Sequence, residues 1–173
     1  MFIIGEMTTA ELGQSIWLRE LHGRCDGASP QVDLEAELRT GNFIREAIAK
    51  GLVRAVHDVS DGGLLIAATE MCLAGNLGIR IDEDYFHSEL AGTFFGESQG
   101  RYLVETEMME ALVESAQAAR VAYRFFGFVA DDRQITADIE IGGADALAIP
   151  LVDLRAAHEG FFPKLMGADG ALA

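Results

Sequence analysis

A chain of 173 residues, half of them hydrophobic, carries enough apolar material for one ordinary domain with a substantial core. Its formal net charge of −15, from 28 acidic residues against 13 Lys and Arg, repels a phosphate backbone at long range and excludes nucleic acid as a partner. No apolar run approaches the roughly 20 residues that span a bilayer, and MFIIGEMTTAE lacks the basic region and long apolar stretch of a signal peptide, so the reading is a cytoplasmic protein without membrane contact.

From the start, FIIG reads as a short strand, and LGQSIWLRELHG sets Leu12, Ile16 and Leu21 at helical spacing around Trp17. The Gly- and Pro-punctuated CDGASPQ, residues 25–31, is a loop. Asp33 opens a second helical pattern in which Leu34, Leu38, Ile44, Ala47 and Ile48 fall near one face, and Gly51 ends it. Residues 52–56 predict a short buried strand, residues 64–74 a mostly apolar helix closed by Gly75 and Asn76, and GIRID the next strand. Beyond Tyr85 no pattern holds until RYLVET, residues 101–106, alternates as a strand does; residues 108–119 then return to helical spacing. YRFFGFVA, QITADIEI and ALAIPL predict three more strands, and residues 151–158 a last short helix. Strands and helices alternate without a strict βαβ rhythm and the end is strand-rich, so the fold class is α+β, a mixed sheet with packed helices. One domain covers residues 1–167, with a frayed tail at 168–173. Cys25 and Cys72 have neither a close second Cys nor zinc-site spacing and read as reduced thiols, Cys72 in the core.

Two polar islands interrupt this pattern. In HDVSDGGL, residues 57–64, a helix begins directly after a strand and so points unpaired backbone N–H groups, and the positive end of its dipole, at whatever lies in front. Gly62 and Gly63 remove side chains where a ligand or another backbone approaches, while Ser60 or Asp61 can cap the helix through a side-chain oxygen. Capping alone accounts for Ser60 and Asp61, and a lone His57 is ordinarily a structural hydrogen-bonder. The other reading is chemical: a phosphate beside Asp58 and Asp61 is repelled unless a hard cation such as Mg²⁺ bridges carboxylate and phosphate oxygens, which makes acids plus Gly-Gly a metal-nucleotide site. The second island, FFGESQGRYLVET, residues 94–106, presents Glu97, Ser98 and Gln99 between Gly96 and Gly100 on a backbone free to turn tightly. Amide, hydroxyl and carboxylate together suit a polar ligand; alternatively the segment is a solvated turn with Arg101 paired to Glu97.

In this order, separated by EMCLAGNLGIRID, the two islands resemble the C-terminal domain of the phosphoribosylformylglycinamidine synthases, ATP-dependent amidoligases of purine biosynthesis. The likeness runs from IIGEMTTAELGQSIWLRELHG through VHDVSDGGLLIAATEM and FFGESQGRYLV to HEGFFPKLMG, nearly the whole chain. Aminoimidazole ribonucleotide synthetase, selenophosphate synthetase and hydrogenase maturation proteins share the fold more loosely. The resemblance implies an AIR synthase-like domain, the last in a large subunit built from two tandem copies of an N-terminal-type and a C-terminal-type domain, and hence an excised piece or an incomplete gene product. In that family the catalytic histidine and the ATP-binding lysine lie in N-terminal-type domains, so no catalytic residue is expected here and His57 is not the base. The pseudo-symmetry of the copies places this one at an auxiliary nucleotide site. Asp58 would be the Mg²⁺ ligand, Ser60, Asp61, Gly62 and Gly63 the nucleotide-binding turn, and Glu97, Ser98 and Gln99 a ligand-facing loop.

Implied cofactors of the complete enzyme are Mg²⁺ and ATP or ADP. Implied partners are the N-terminal-type domains, a glutaminase subunit and a small accessory subunit. Alone, the domain should be inactive and expose an apolar surface that permits self-association. Two rival readings stand beside this one: a stand-alone dimerising or scaffolding module, and the equivalent domain of a related small-molecule ATP-using synthetase.

Overall fold

The structure is a computed structural model that describes residues 1–8, 11–85, 89–137 and 147–167. The tail expected at 168–173 and the far end of the QITADIEI strand lie outside the described residues. In chain order the elements are β1 (Phe2–Ile4), α1 (Ile16–His22), α2 (Leu34–Ala49), β2 (Ala55–Asp58), α3 (Gly63–Gly75), β3 (Gly78–Ile81), α4 (Leu90–Phe95), β4 (Tyr102–Glu105), α5 (Met109–Ala119), β5 (Tyr123–Phe125), β6 (Gly127–Ala130), β7 (Gln134–Ala137), β8 (Leu147–Pro150) and α6 (Leu151–Leu165), with a 3-10 turn at Glu83–Tyr85.

Two four-stranded sheets result. One has the order β2-β4-β1-β5 and is antiparallel throughout; the other, β6-β3-β7-β8, is mixed because β3 runs parallel to β7. The α+β class expected from the sequence is what forms. Side-chain alternation along β1 and β4 divides the core. Phe2, Ile4 and Val104 face α2 and α5, meeting Phe43, Ile44, Ala47, Leu112 and Ala116. Ile3 and Leu103 face the other way, into a cluster where Leu64, Ala68 and Cys72 of α3 meet Ile79, Ile81 and Ile135 of the second sheet. The apolar α3 thus has core on more than one side, as its sequence requires.

Several local expectations are corrected by packing. The first helix starts only at Ile16, preceded by a Ser15 cap, and buries none of its residues; Leu12 precedes it and Leu21 is exposed. In α2 the inward stripe is Ala36, Thr40, Phe43, Ile44 and Ala47, whereas Leu34, Leu38 and Ile48 are exposed, because only one flank of the helix lies against the sheet. The strand expected at 52–56 is shifted to Ala55–Asp58 and is not buried: it pairs only with β4 and forms a sheet edge.

YRFFGFVA is not one strand but two in different sheets. The break is Phe126, fully buried, whose N–H donates to the Met1 carbonyl while its own carbonyl accepts from Asp82 N–H. At Gly127 an added Cβ would lie 2.9 Å from Ile81 Cα, so the crossing from one sheet to the other requires glycine. The helix expected at 151–158 continues to Leu165, and α4, which no periodicity revealed, packs on α3.

Candidate functional site

The two polar islands are neighbours in space. In the antiparallel register His57 lies opposite Leu103 and Asp58 opposite Tyr102, and the pairing extends one step further as Val59 N–H donates to the Arg101 carbonyl at 2.9 Å. The chain then turns through Ser60 and Asp61, both exposed, into the buried Gly62 and Gly63. Gly63 N–H closes the turn on the Ser60 carbonyl at 3.0 Å.

The helix cap is not the one expected. Neither Ser60 nor Asp61 caps α3; the cap position is Gly62 in the left-handed region, with no side-chain cap bond of its own. The Gly62 N–H donates instead to Glu97 Oε1 at 2.8 Å, and the same oxygen accepts from Ile16 N–H at 2.9 Å. Gly63 serves close approach, as anticipated, and what approaches is the backbone of α4: an added Cβ would meet Phe94 O and Phe95 Cα at 2.7 Å.

Arg101 does not pair with Glu97. It is 1% exposed, its Nη2 donates to the Gly96 carbonyl at 2.6 Å and its Nε to the Ser98 carbonyl at 3.0 Å, so it grips the loop on both sides of Glu97. Desolvation lowers the guanidinium's affinity for its proton, and the nearby Tyr85 hydroxyl, also fully buried, is pushed up to about 12 by the same effect. The alternation of RYLVET carried the signal for this burial, because Arg101 shares a parity with the buried Leu103. Nothing in the sequence pointed to the inward turn of Glu97.

The remaining loop side chains differ in their engagement. Ser98 Oγ and Thr8 Oγ1 are hydrogen-bonded at 3.1 Å, and Gln99, exposed, returns its amide to the Glu97 carbonyl at 3.1 Å. Ser98 and Gln99 border a cleft of about 340 Å³ whose wall includes Glu6, Asp33 and Glu37, an arrangement that repels a bare phosphate.

His57 is held from both nitrogens, Nε2 by Glu70 Oε2 of α3 at 3.1 Å and Nδ1 by the Asp58 carbonyl at 2.6 Å, which fits a structural strand-to-helix tie. The Asp58 carboxylate is 67% exposed and accepts no hydrogen bond among the described residues, with His57 Nδ1 4.0 Å from its Oδ1. An exposed carboxylate of this kind suits a hard cation, which takes oxygen ligands. It would be one ligand among several, since among the described residues no three His, Cys, Asp or Glu side chains gather around a metal-sized site. Cys72 is a buried free thiol and Cys25 an exposed one, so neither offers a metal pair.

Comparison with known proteins bears on this geometry. The chain is 42% identical to the phosphoribosylformylglycinamidine synthase subunit PurL of Zymomonas mobilis subsp. mobilis over 96% of its length, and 44% identical to that of Acidiphilium cryptum over 95%. It spans only about a fifth of those relatives, 22% in both cases. Among solved structures it resembles Thermotoga maritima PurL complexed with FGAR, with a TM-score of 0.69 at 22% identity, covering 88% of this chain and 27% of that one. Escherichia coli HypE, a hydrogenase maturation protein, is similar with a TM-score of 0.59 at 16% identity, covering 87% of this chain and 49% of that one, a likeness of fold alone. A family model matches residues 3–140, and on that match the chain belongs to the AIR synthase related protein, C-terminal domain family.

Proposed function

We propose that this chain is the C-terminal domain, over residues 1–167, of a phosphoribosylformylglycinamidine synthase, the second such copy in a tandem-repeat large subunit. The complete enzyme converts formylglycinamide ribonucleotide to the amidine. ATP phosphorylates the amide oxygen, ammonia from a glutaminase subunit adds to the activated carbon, and phosphate leaves, so that ADP and phosphate are the by-products. The chemistry belongs to the N-terminal-type domains; a small accessory subunit completes the assembly, and the location is cytoplasmic. No helix among the described residues is long and apolar enough to cross a membrane.

The observation that carries this reading is the side-by-side placement of the two islands, with Asp58, Ser60 and Asp61 exposed at one rim. In this proposal the Asp58 carboxylate would hold Mg²⁺, the Ser60 hydroxyl would contact the nucleotide, and Asp61, Gly62 and Gly63 would shape the turn against it. Ser98 and Gln99, at the mouth of the acidic cleft, remain ligand-facing. When bound, Mg²⁺ supplies the positive charge that lets phosphate oxygens lie beside Asp58 and Asp61. PurL of Thermotoga maritima has been solved with ATP, AMPPCP and ADP, which supports nucleotide binding in this group of proteins.

The test is Asp58→Asn in the complete synthase. The shape stays, and the charge goes. Mg²⁺-dependent ADP retention should weaken by about tenfold or more, since even supporting groups of a metal site cost about 10–100-fold when lost. The nucleotide-free melting temperature should hold. An unchanged ADP affinity together with a loss of apo stability beyond the roughly 0.5–2 kcal/mol of a helix cap would make Asp58 structural and sink the assignment.

A second reading, a self-associating module, draws on α6. Its final turns and the capping Met166 leave Phe161, Phe162, Leu165 and Met166 between 61% and 81% exposed, apolar surface that a covering partner would bury. Sedimentation of the 173-residue chain decides this: concentration-dependent dimers support self-association, and a monomer across the range removes it.

A further inference from the structure

We infer that Glu97 is a positioning residue for the nucleotide turn, tying residues 60–63 and the start of α1 to the 96–101 loop through a single carboxylate oxygen. This deepens the nucleotide reading above and rests on it. Three segments far apart in the chain meet at Glu97 Oε1, which accepts from Gly62 N–H and Ile16 N–H. Both donors lie at helix starts, where backbone N–H groups lack partners within the helix, and a carboxylate oxygen is a stronger acceptor for them than a neutral carbonyl. Glu97 therefore provides the side-chain acceptor that Ser60 and Asp61 do not bring to the start of α3.

The carboxylate is itself held in place. Arg101 grips the carbonyls of Gly96 and Ser98, the residues on either side of Glu97, so the loop backbone has little freedom to withdraw the side chain. On the far side, Trp17, the residue after Ile16, stacks on Phe95 with ring centroids 4.2 Å apart. The clamp and the stack lie side by side.

One consequence is directional. With the Gly62 N–H committed to Glu97 and the Gly63 N–H to the Ser60 carbonyl, two amides at the start of α3 are already satisfied. A nucleotide phosphate would meet this turn from the Asp58 and Ser60 rim rather than head-on along α3. Glu97 would act on the nucleotide only through the turn.

The experiment compares wild type, Glu97→Gln and Glu97→Ala. In the full 173-residue chain, amide hydrogen exchange at Gly62 and Ile16 should accelerate by about tenfold in Glu97→Ala, the size expected for loss of a charge-assisted bond. The Phe43 amide in α2 should be unchanged. Acrylamide quenching of Trp17, the single tryptophan, should rise in parallel. Glu97→Gln keeps an acceptor oxygen and should give a smaller change at the same two amides, so it carries the comparison if the alanine variant fails to fold. Equal acceleration at Gly62, Ile16 and Phe43 would mean general destabilisation, and no change at the first two would mean no tie; either overturns the inference.

In the complete synthase, Glu97→Ala should weaken Mg²⁺-dependent ADP retention by about tenfold, in the same direction as expected for Asp58→Asn. If Asp58→Asn weakens ADP binding and Glu97→Ala does not, the positioning role fails while the nucleotide reading stands. If neither affects it, both fail.

Discussion

Replacing Gly63 by alanine combines two costs that other glycines of the same chain allow to be separated. Gly63 has φ +75°, and an added Cβ would lie 2.7 Å from Phe94 O, Phe95 C and Phe95 Cα. Holding an L-residue in the left-handed region costs about 1–2 kcal/mol, and wedging a methyl group against backbone that cannot rotate aside costs about 1–3 kcal/mol more. The sum of roughly 2–5 kcal/mol is a large share of a typical 5–15 kcal/mol folding stability. Gly51 has φ +67° with nothing within 4 Å of an added Cβ, so Gly51→Ala isolates the strain and should cost about 1–2 kcal/mol. Gly75, at the end of α3, has neither positive φ nor a neighbour within 4 Å, and Gly75→Ala should stabilise by about 0.5–1 kcal/mol. Urea unfolding of the three variants, with m-values checked for two-state behaviour, gives the ordering. If Gly63→Ala costs no more than Gly51→Ala to within about 0.5 kcal/mol, α4 does not abut the start of α3 in the way described. Because α4 runs directly into Gly96 and Glu97, the same variant should also disturb the loop that faces the nucleotide turn.

Two further outcomes test the core. In α2, Ile44→Ala should cost about 2–5 kcal/mol and Leu38→Ala less than about 0.5, although sequence spacing puts both near one face, since Ile44 is 4% exposed and Leu38 64%; equal costs would contradict the helix orientation. Alkaline titration probes the buried Cys72 thiol and Tyr85 hydroxyl, each pushed up by burial to about 12 from ordinary values of 9.0 and 10.0. The folded state holds these protons more tightly than the unfolded chain, so their contribution is complete below pH 9, declines above it and is lost as pH rises through about 12. The melting temperature should fall across that window and Cys72→Ala should flatten the early part; a level profile would show that the groups are not desolvated.

Much of the architecture could be read from local pattern. FIIG, RYLVET and GIRID contain the strands β1, β4 and β3, and the apolar run closed by Gly75 and Asn76 is α3, because each carries its own periodicity or stop signal. The misreadings share one cause. Periodicity states which residues lie on one face of an element but not whether a neighbour covers that face, so Leu34, Leu38 and Ile48 were indistinguishable from core until α2 was placed on its sheet. YRFFGFVA reads as one strand for the same reason: the division at Phe126 comes from bonds to Met1 and Asp82, both distant in sequence.

For the site, the chain order and composition of HDVSDGGL and GESQGR by themselves determined the family resemblance and the residue types available for a metal and a nucleotide. Which of those side chains remain free was decided only by the tertiary fold. Glu97 reaches across 35 positions to Gly62 and 81 to Ile16, and Arg101 is sealed into the interior. A helix start must satisfy its N–H groups from whatever acceptor the fold brings near, and that acceptor is set by packing between distant segments rather than by the residues beside it. With Glu97 in that place, Ser60 and Asp61 are released from capping and stand exposed with Asp58 at the rim.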